Sequence, residues 1–270
     1  MKLAILSDIH ANIEALQATA RALSAEPVDE IVCLGDIVGY NADPEPCVAL
    51  LRELGATSVA GNHDRAVCGQ ITTEGFSPIA ARAAAWTQMR LAPDALEYLS
   101  RLPLKARVGS DLLVVHGALH PEVGCETVRL DTDEARALSF EALVRHPSGI
   151  RICAFGHTHR LGVYELRDGV VRSRDTEEVA LRDDAVYLVN PGTVGQPRSA
   201  DTRATYMVLD TDRRSLAVRR VAYDHRIPLA KTRKAGLAPP FSFLPEPVRS
   251  SLKQGARALR IDGLLKRAVG

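Results

Sequence analysis

Side chains that can bind metal ions recur at five places along the 270-residue chain. Each place is a short motif in which histidine, aspartate or asparagine stands beside glycine or directly after an apolar run. The motifs are Asp8-Ile9-His10, Gly35-Asp36-Ile37-Val38-Gly39, Gly61-Asn62-His63-Asp64, His116-Gly117 and Gly156-His157-Thr158-His159. Their donors are carboxylate and amide oxygens and imidazole nitrogens, a set that suits Mn, Fe, Zn, Co or Ni better than calcium.

The number of donors indicates how many ions such a site would hold. Seven side chains are candidate ligands, namely Asp8, His10, Asp36, Asn62, His116, His157 and His159. Seven ligands are too many for one ion that keeps an open coordination position. They are enough for two ions that share one carboxylate, which is the arrangement of two-metal hydrolytic sites.

Apolar runs of strand length precede the motifs and would position them. These runs cover residues 2–7, 30–34, 57–60, 112–115, 150–155, 185–189, 204–210 and 215–221. Helical patterns cover residues 12–25, 46–54, 77–102 (with a new start at Pro93) and 132–145. Because ligands of α/β sheets bind at the carboxyl ends of the strands, we expect the five motifs to converge at one edge.

The order of these elements predicts the fold class. The pattern β-α-β-α-β, then a helical segment and then strands in close succession, predicts an α/β core with a strand-rich second half. Short hairpins are expected around Gly162 and Gly169. Asn12 is the expected N-cap of the first helix, and Thr132 or Asp133 that of the last helix of this region.

Composition excludes several protein classes. The hydrophobic fraction of 46% and charged fraction of 25% are ordinary for a globular protein. No apolar stretch approaches the roughly 18–20 residues that a membrane span needs. The short apolar start does not resemble a signal peptide, so a cytoplasmic location is expected. Five cysteines without a C-x-x-C pair argue against a disulfide framework or a thiolate zinc site.

Charge divides the chain into two unlike parts. Residues 1–212 contain 20 Lys+Arg and 30 Asp+Glu, whereas residues 213–270 contain 14 Lys+Arg and 3 Asp+Glu. We therefore expect one domain over 1–225, with a helical insert at about 74–103, and a Pro-rich, basic extension over 226–270 that ends in a helix at about 246–266. Its apolar residues would pack on the acidic body or on a second subunit of a homo-oligomer. The acidic body and the 4% aromatic content argue against a nucleic-acid partner.

In their order and spacing, the five motifs resemble those of the calcineurin-like metallophosphoesterase superfamily, over roughly residues 1–210. The stretch 7–12 and the loop 190–198 are similar to a bacterial and archaeal branch of small phosphodiesterases, often called diadenosine-tetraphosphatase-like. The resemblance implies a βαβ sandwich of two mixed sheets flanked by helices. It also implies two divalent transition metal ions, with Mn favoured, and a hydroxide between them as nucleophile.

The resemblance further implies a role for each site residue. Asp36 would bridge the two ions, and His63 would be the catalytic residue beside the leaving-group oxygen. The first ion would be held by Asp8, His10, Asp36 and His159, and the second by Asp36, Asn62, His116 and His157. Arg198, which ends a Gly-rich loop, is a candidate substrate-binding residue because guanidinium groups bind phosphate in bidentate fashion.

At one position this chain differs from the sequence pattern of the serine/threonine-phosphatase branch. That branch has an aspartate three residues after the bridging Asp36, where it orients the catalytic histidine; this chain has Gly39 there. The departure removes support for a phosphoprotein substrate and favours a diester over a monoester. Asp64, adjacent to His63, is either an orienting group or a turn-capping carboxylate.

Several functions are compatible with these residues. The leading interpretation is a phosphoesterase acting on small phosphodiesters or nucleotides. The alternatives are hydrolysis of dinucleoside polyphosphates such as diadenosine tetraphosphate, a nuclease that uses the basic tail, and a non-catalytic metal-binding scaffold. A scaffold would be expected to have lost a ligand or the catalytic histidine, whereas this chain keeps all seven ligands and His63.

Overall fold

Two six-stranded sheets form the centre of the protein in the computed structural model, which describes residues 1–174 and 177–238. The described strands, in chain order, are β1 (Lys2–Leu6), β2 (Glu30–Cys33), β3 (Thr57–Ser58), β4 (Lys105–Val108), β5 (Leu112–Val115), β6 (Ile152–Ala154), β7 (Leu161–Arg167), β8 (Val170–Ser173), β9 (Glu178–Ala180), β10 (Val186–Pro191), β11 (Ala204–Asp210) and β12 (Ser215–Val221).

Both sheets are mixed. The first has the order β3-β2-β1-β11-β12-β9 and the second β4-β5-β6-β10-β7-β8. Strands β1, β2 and β3 are parallel to one another, as are β5, β6 and β10, whereas the remaining pairs are antiparallel. Since parallel strands end on the same side, the loops after β1, β2 and β3 and those after β5 and β6 leave their sheets together.

The alternation of side chains along β1 explains why the sheets lie face to face. Leu3 and Ile5 point into the core between the two sheets, and Ala4 and Leu6 point into the core beneath the helices. A strand covered on both faces must be apolar throughout, as this one is. Each fully buried leucine or isoleucine contributes about 1.5–3 kcal/mol relative to exposure.

Helices cover the outer face of each sheet. They are α1 (Ile13–Ala25), α2 (Pro44–Glu53), α3 (Asn62–Val67), α4 (Pro78–Gln88), α5 (Pro93–Ser100), α6 (Asp133–Val144) and α7 (Arg226–Lys234). The core under α1 to α5 lies on the first sheet, and α6 packs on the second. Within residues 1–174 and 177–238, no helix combines the length and apolar character that crossing a bilayer requires.

Local sequence signals explain most helix starts. The side chain of Asn12 accepts a hydrogen bond from the Ala15 amide, as expected of an N-cap. Thr132, rather than Asp133, caps α6 through the Ala135 amide. Pro93 begins α5, where its missing N–H is no loss. The predicted α/β class with two mixed sheets flanked by helices is confirmed.

The structure also differs from the sequence-based expectations at element ends. The predicted strands 57–60 and 150–155 shorten to β3 and β6, because the flanking residues leave the ladder to enter the site loops. Asn62 begins helix α3 instead of a simple turn. Strands β4 and β9 and helix α7 were not predicted, since their short, mixed sequences carry no clear period. The predicted tail helix at 246–266 lies outside the described residues.

Candidate metal centre

The predicted ligands converge between the two sheets, at the carboxyl ends of five strands. Asp8 and His10 follow β1, Asp36 follows β2, and Asn62 begins α3 directly after β3. The remaining three follow β5 and β6 of the other sheet, namely His116, His157 and His159. Apart from the half-buried His157, each predicted ligand is at most 7% exposed. The structure thus brings all seven into one buried cluster.

Strained backbone holds these side chains in place. Five of the seven predicted ligands have a left-handed φ between 48° and 61°, namely Asp8, His10, Asp36, His157 and His159. Such a conformation costs a non-glycine residue about 1–3 kcal/mol and is concentrated at functional sites. Loop contacts sustain it, for example the hydrogen bond from the His10 amide to the Asp36 carbonyl at 2.9 Å.

Close approach of the loops explains one of the motif glycines. A Cβ atom added to Gly61 would lie 2.1 Å from the Asp36 carboxylate and 2.3 Å from its amide nitrogen. Only glycine therefore lets the loop before α3 touch the loop after β2.

Asp8, His10 and His159 form the first ligand cluster. The Nε2 atom of His159 lies 3.3 Å from Oδ1 of Asp8 and 3.1 Å from Nε2 of His10. The Nε2 atom of His10 lies 3.8 Å from the same Asp8 oxygen. These three donors are close enough to surround one ion, since their ligand atoms all lie within 4.8 Å of one another.

The second ligand cluster contains Asp36, Asn62, His116 and His157. The Nε2 atom of His116 lies 3.3 Å from Oδ2 of Asp36, 3.1 Å from Oδ1 of Asn62 and 3.2 Å from Nδ1 of His157. The same Oδ2 atom of Asp36 lies 3.5 Å from Nε2 of His10. Asp36 therefore stands between the two clusters.

Backbone carbonyls orient three of the imidazoles. Nδ1–H of His10 donates to Val38 O at 3.1 Å, that of His116 to Leu34 O at 2.7 Å, and that of His159 to Gln196 O at 2.8 Å. Because Nδ1 is hydrogen-bonded in this way, Nε2 of each ring faces the ligand clusters. Metal-binding histidines are usually oriented by such a hydrogen bond from the other ring nitrogen.

The donor set of the first cluster fits a divalent ion. Oδ1 of Asp8 is buried and accepts no hydrogen bond from any described residue, and burial raises the pKa of Asp8 to about 7. Burial also lowers the pKa of His159 to about 3 and that of His10 well below its ordinary value. Two neutral imidazoles thus turn their lone pairs toward each other at 3.1 Å, a contact that a cation between them would relieve.

The second cluster also requires positive charge. Burial disfavours the Asp36 carboxylate, but the charge and hydrogen bond of His116 counter burial and hold the pKa of Asp36 well below its usual range. In return, Asp36 overcomes the effect of burial on His116 and raises the pKa of that imidazole to about 9. In the ion-free chain, the positive charge of a protonated His116 balances the negative charge of Asp36. A divalent ion would take over that role.

His63 stands beside both clusters without a polar partner for its ring. Its amide donates to Oδ1 of Asp36 at 2.9 Å. Its imidazole packs against the rings of Tyr40 and Phe76, with centroid distances of 4.8 Å and 4.9 Å. The Nδ1 atom is buried and forms no hydrogen bond among the described residues. Burial lowers the pKa of His63, so the ring is neutral near pH 7.

Asp64 does not orient His63. Its Oδ1 atom accepts from the amides of Ile37 and Val38 at 2.9 Å and 3.2 Å, and its Oδ2 atom accepts from the Gly61 amide at 2.9 Å. These bonds tie the start of α3 to the loop after β2. Of the two interpretations of Asp64, the capping carboxylate is the one that the structure supports.

A cavity of about 440 Å³ opens over the two clusters. Arg198 lines it and donates from Nη2 to Nε2 of His159 at 3.2 Å, so the loop arginine reaches the centre. The insert contributes residues 74–77 and Ala80 to the wall, whereas Arg82 and Arg90 do not line it.

The cavity also contains an arginine that sequence reasoning missed. Arg129 lines the wall, donates from Nη1 to the His157 carbonyl at 3.1 Å, and pairs with Asp131 at 2.6 Å. It belongs to the segment after the 3-10 helix Cys125–Thr127, which no motif marks. The only sequence signal is indirect, namely the glycine Gly117 at the end of a motif. A Cβ atom there would lie 2.2 Å from the Cys125 carbonyl oxygen, so the absence of a side chain at Gly117 allows this segment to approach the site.

This fold and these loops define a metallophosphoesterase. The profile of the calcineurin-like phosphoesterase superfamily domain matches residues 1–214, so the chain belongs to that superfamily and the resemblance seen in the motifs is confirmed. Membership supports hydrolysis of a phosphoester in general, and the family uses divalent metals.

Three relatives illustrate the similarity. The uncharacterized protein MJ0912 of Methanocaldococcus jannaschii is 33% identical over 226 residues, which are 82% of this chain and 88% of that protein. The crystal structure of a metallophosphoesterase from Sphaerobacter thermophilus is 36% identical, with a TM-score of 0.73 over 88% of this chain and 95% of that one. The hypothetical protein PH1004 from Pyrococcus horikoshii OT3 shares the fold at 17% identity, with a TM-score of 0.69 over 88% and 94% of the two chains.

Proposed function

We propose that this protein is a dinuclear metal-dependent phosphodiesterase that hydrolyses small phosphodiesters or nucleotides. The position of Asp36 carries the proposal. Its Oδ2 atom lies 3.5 Å from Nε2 of His10 in one cluster and 3.3 Å from Nε2 of His116 in the other. A single carboxylate oxygen that faces a candidate ligand of each cluster is the arrangement that two ions sharing one ligand require.

The ligands divide between the two ions as the clusters do. Asp8, His10 and His159 would hold the first ion, and Asp36 would be shared. Asn62, His116 and His157 would hold the second. When bound, the two ions supply Lewis acidity that activates water and neutralises charge on the phosphoryl oxygens.

His63 stabilises the leaving-group oxygen. Its Nδ1 atom is buried without an acceptor among the described residues, which favours the neutral tautomer with the proton on Nε2. The ring lines the cavity beside Asp36 and Asn62. From there, Nε2–H donates a hydrogen bond to the oxygen on which negative charge develops, and so stabilises that oxygen as it leaves.

The charges of the cavity favour a diester over a monoester. Among the described residues, Arg129 and Arg198 are its two arginines, and Arg129 already donates to the His157 carbonyl. Glu74 lines the same wall and adds negative charge. A phosphodiester carries one negative charge, whereas a phosphomonoester dianion would need further cationic donors and would be repelled more strongly by Glu74.

Hydrolysis of two p-nitrophenyl esters tests the proposal. Protein stripped with a chelator and reloaded with Mn²⁺, Fe²⁺, Zn²⁺, Co²⁺ or Ni²⁺ is assayed with bis-p-nitrophenyl phosphate and p-nitrophenyl phosphate. We expect no turnover by the stripped protein, the highest rate with Mn²⁺, and a higher kcat/KM for the diester. A monoester turned over about tenfold faster, a difference of about 1.4 kcal/mol, would make the protein a phosphatase instead.

A further inference from the structure

A second cavity, of about 350 Å³, adjoins the first. The two share His159 and Arg198, so they meet at the edge of the first ligand cluster. Apart from the shared histidine, the ionisable residues that line the second cavity are Arg160, Arg198, Asp201, Arg203 and Arg220. Four guanidinium groups and one carboxylate give the lining a marked excess of positive charge.

Nearby carboxylates neutralise only part of this charge. Arg203 forms a bidentate pair with Asp201, with Nε–Oδ1 and Nη2–Oδ2 distances of 3.0 Å and 2.7 Å. Arg220 pairs with Glu177 and lies 3.8 Å from Asp201. Counting only the residues that the structure describes, two arginines therefore remain in excess on this wall.

The two remaining arginines are the ones nearest the metal centre. Arg198 contacts the His159 imidazole instead of a carboxylate. The side chain of Arg160 is 74% exposed, and its partner Asp131, 3.8 Å away, is already paired with Arg129 at 2.6 Å. Planar guanidinium groups of this kind match phosphate oxygens in geometry as well as charge.

We infer that the second cavity is a subsite for a second phosphate group of the substrate. The inference rests on the proposed function, because it places the scissile phosphate over the ligand clusters of the first cavity. The second phosphate then lies beyond Arg198, on the wall formed by Arg160 and Arg203. The preferred substrates are thus phosphodiesters that carry another phosphate, such as a nucleotide diester with a 3′-phosphate.

Asp201 acts as an internal counterion of this subsite. By accepting two hydrogen bonds from Arg203 it holds that side chain against the cavity, and it competes there with a bound phosphate. Replacing Asp201 with asparagine keeps an acceptor oxygen but removes the competing charge. Substitution of this residue should therefore strengthen binding of the second phosphate, an effect that simple damage to the loop would not produce.

Two matched esters test the subsite. Thymidine 5′-(p-nitrophenyl phosphate) is compared with the same ester bearing a 3′-phosphate. We expect kcat/KM to be about tenfold higher for the 3′-phosphorylated ester, the effect of one additional hydrogen bond between charged groups. The ratio should rise in Asp201→Asn. It should fall toward one in Arg160→Gln and in the double variant Asp201→Asn with Arg203→Gln. Arg107→Gln, on an exposed arginine of β4, should keep the wild-type ratio.

The outcomes separate the two proposals. Equal kcat/KM for the two esters, with turnover present, overturns the subsite and leaves the phosphodiesterase proposal intact. If neither ester is turned over, the proposed function fails and calorimetry decides the subsite. Thymidine 3′,5′-bisphosphate should then bind about tenfold more tightly than thymidine 5′-phosphate, a difference lost in the double variant. Equal affinities overturn the inference.

Inorganic phosphate distinguishes a substrate phosphate from a free ion. The alternative is that the second cavity binds free phosphate only. Added phosphate would then change turnover of the unphosphorylated ester by the wild-type protein but not by the double variant, and the two esters would have equal kcat/KM. These two results together would also overturn the inference. We expect instead that phosphate lowers the preference for the 3′-phosphorylated ester by competing for the same arginines.

Discussion

Nδ1 of His63 lies directly against Gly39: a Cβ atom added to that glycine would come within 2.3 Å of the nitrogen. In the serine/threonine phosphatases this position is the aspartate that orients the histidine. No side chain fits there in this protein without moving His63. The imidazole instead packs against the Tyr40 and Phe76 rings. Burial outweighs the nearby Asp36 carboxylate and lowers the pKa of His63.

Replacing His63 should separate chemistry from metal binding. His63→Gln removes the imidazole that stabilises the leaving group but none of the seven predicted ligands, so both ions should be retained while kcat falls by about 10²- to 10⁴-fold. Elemental analysis and turnover of bis-p-nitrophenyl phosphate measure the two effects. His146→Gln, outside the cavity, is the control. A variant at position 63 with wild-type turnover would remove His63 from the mechanism.

Gly39→Ala should impair the same step by displacing the ring. The added methyl group would collide with Nδ1 of His63, and Gly39 also has a φ of +89°, which a residue with a side chain rarely adopts. We expect kcat to fall and the free energy of unfolding to drop by about 1–3 kcal/mol. Urea unfolding and turnover assays measure both.

Gly149→Ala is the matched control for that substitution. Gly149 has a φ of +70°, but a Cβ there would have nothing within 4 Å. This variant should therefore lose stability by backbone strain alone and keep its kcat. If both alanine variants keep wild-type kcat, the contact between Gly39 and His63 has no bearing on catalysis.

Asp36→Ala and Asn62→Ala should differ in metal content. Loss of Asp36 removes the one carboxylate between the clusters, so the variant should lose both ions. Loss of Asn62 removes one ligand of the second cluster, whose Oδ1 lies 3.1 Å from Nε2 of His116, so mainly the second ion should bind more weakly. Titration with Mn²⁺ followed by elemental analysis distinguishes them. Two ions retained per chain in Asp36→Ala would contradict a shared ligand.

Much of this site could be predicted from the sequence because its signals are local. Each motif of predicted ligands lies at the end of an apolar run, and the end of a buried strand fixes where such a motif lies. Thus Asp8, Asp36 and His116 could be assigned to one edge before their contacts were known. Loops of this kind converge wherever parallel strands end together.

Other parts of the site depend on contacts between distant segments. Phe76 reaches the cavity from the start of the insert, just before its helical pattern, and Arg129 from the segment after the 3-10 helix, which has no motif or period. The second cavity combines Arg160 and Arg203, 43 positions apart, with Arg220. Only the packing of the two sheets brings such residues together, so sequence spacing does not reveal them.

His159 should make the stability of the metal-free chain depend on pH. Burial holds the pKa of this imidazole at about 3 in the folded chain, against about 6.5 when unfolded. The contribution of His159 to the free energy of unfolding is fully present above pH 6.5. It is lost as the pH falls toward 3, because in this range the unfolded chain binds one more proton at this residue than the folded chain does. The free energy of unfolding should therefore fall by up to about 1.4 kcal/mol per pH unit through this residue.

Comparison with His159→Gln isolates that contribution. Urea unfolding of chelator-treated protein at pH 6.5, 5.5 and 4.5 gives the slope for each protein. The free energy of unfolding of the variant should depend less steeply on pH, by up to the effect of one bound proton, since glutamine does not titrate. Parallel slopes for the two proteins would show that the His159 pKa is not lowered in the folded state.

Helix α7 should support the site from the far end of the described chain. Thr232 Oγ1 donates to Oδ1 of Asn41 at 3.0 Å, and Nδ2 of Asn41 donates to the His10 carbonyl at 2.9 Å. Lys231 pairs with Glu14 and Asp43 at 2.5 Å and 2.9 Å. These contacts join α7 to the loop after β2 and to the backbone of a predicted metal ligand.

Removing α7 should therefore affect both solubility and metal binding. Deleting 226–270 exposes the surface that α7 and the buried Leu237 cover, and we expect aggregation or a changed assembly state in light scattering. Deleting only 239–270 keeps α7 and is the matched comparison. Thr232→Val tests the hydrogen-bond chain alone: it leaves Asn41 Oδ1 without its donor and should cost about 1–3 kcal/mol of stability, with weaker Mn²⁺ binding. A soluble truncation at residue 225 with unchanged size, metal content and turnover would assign α7 no part in the site.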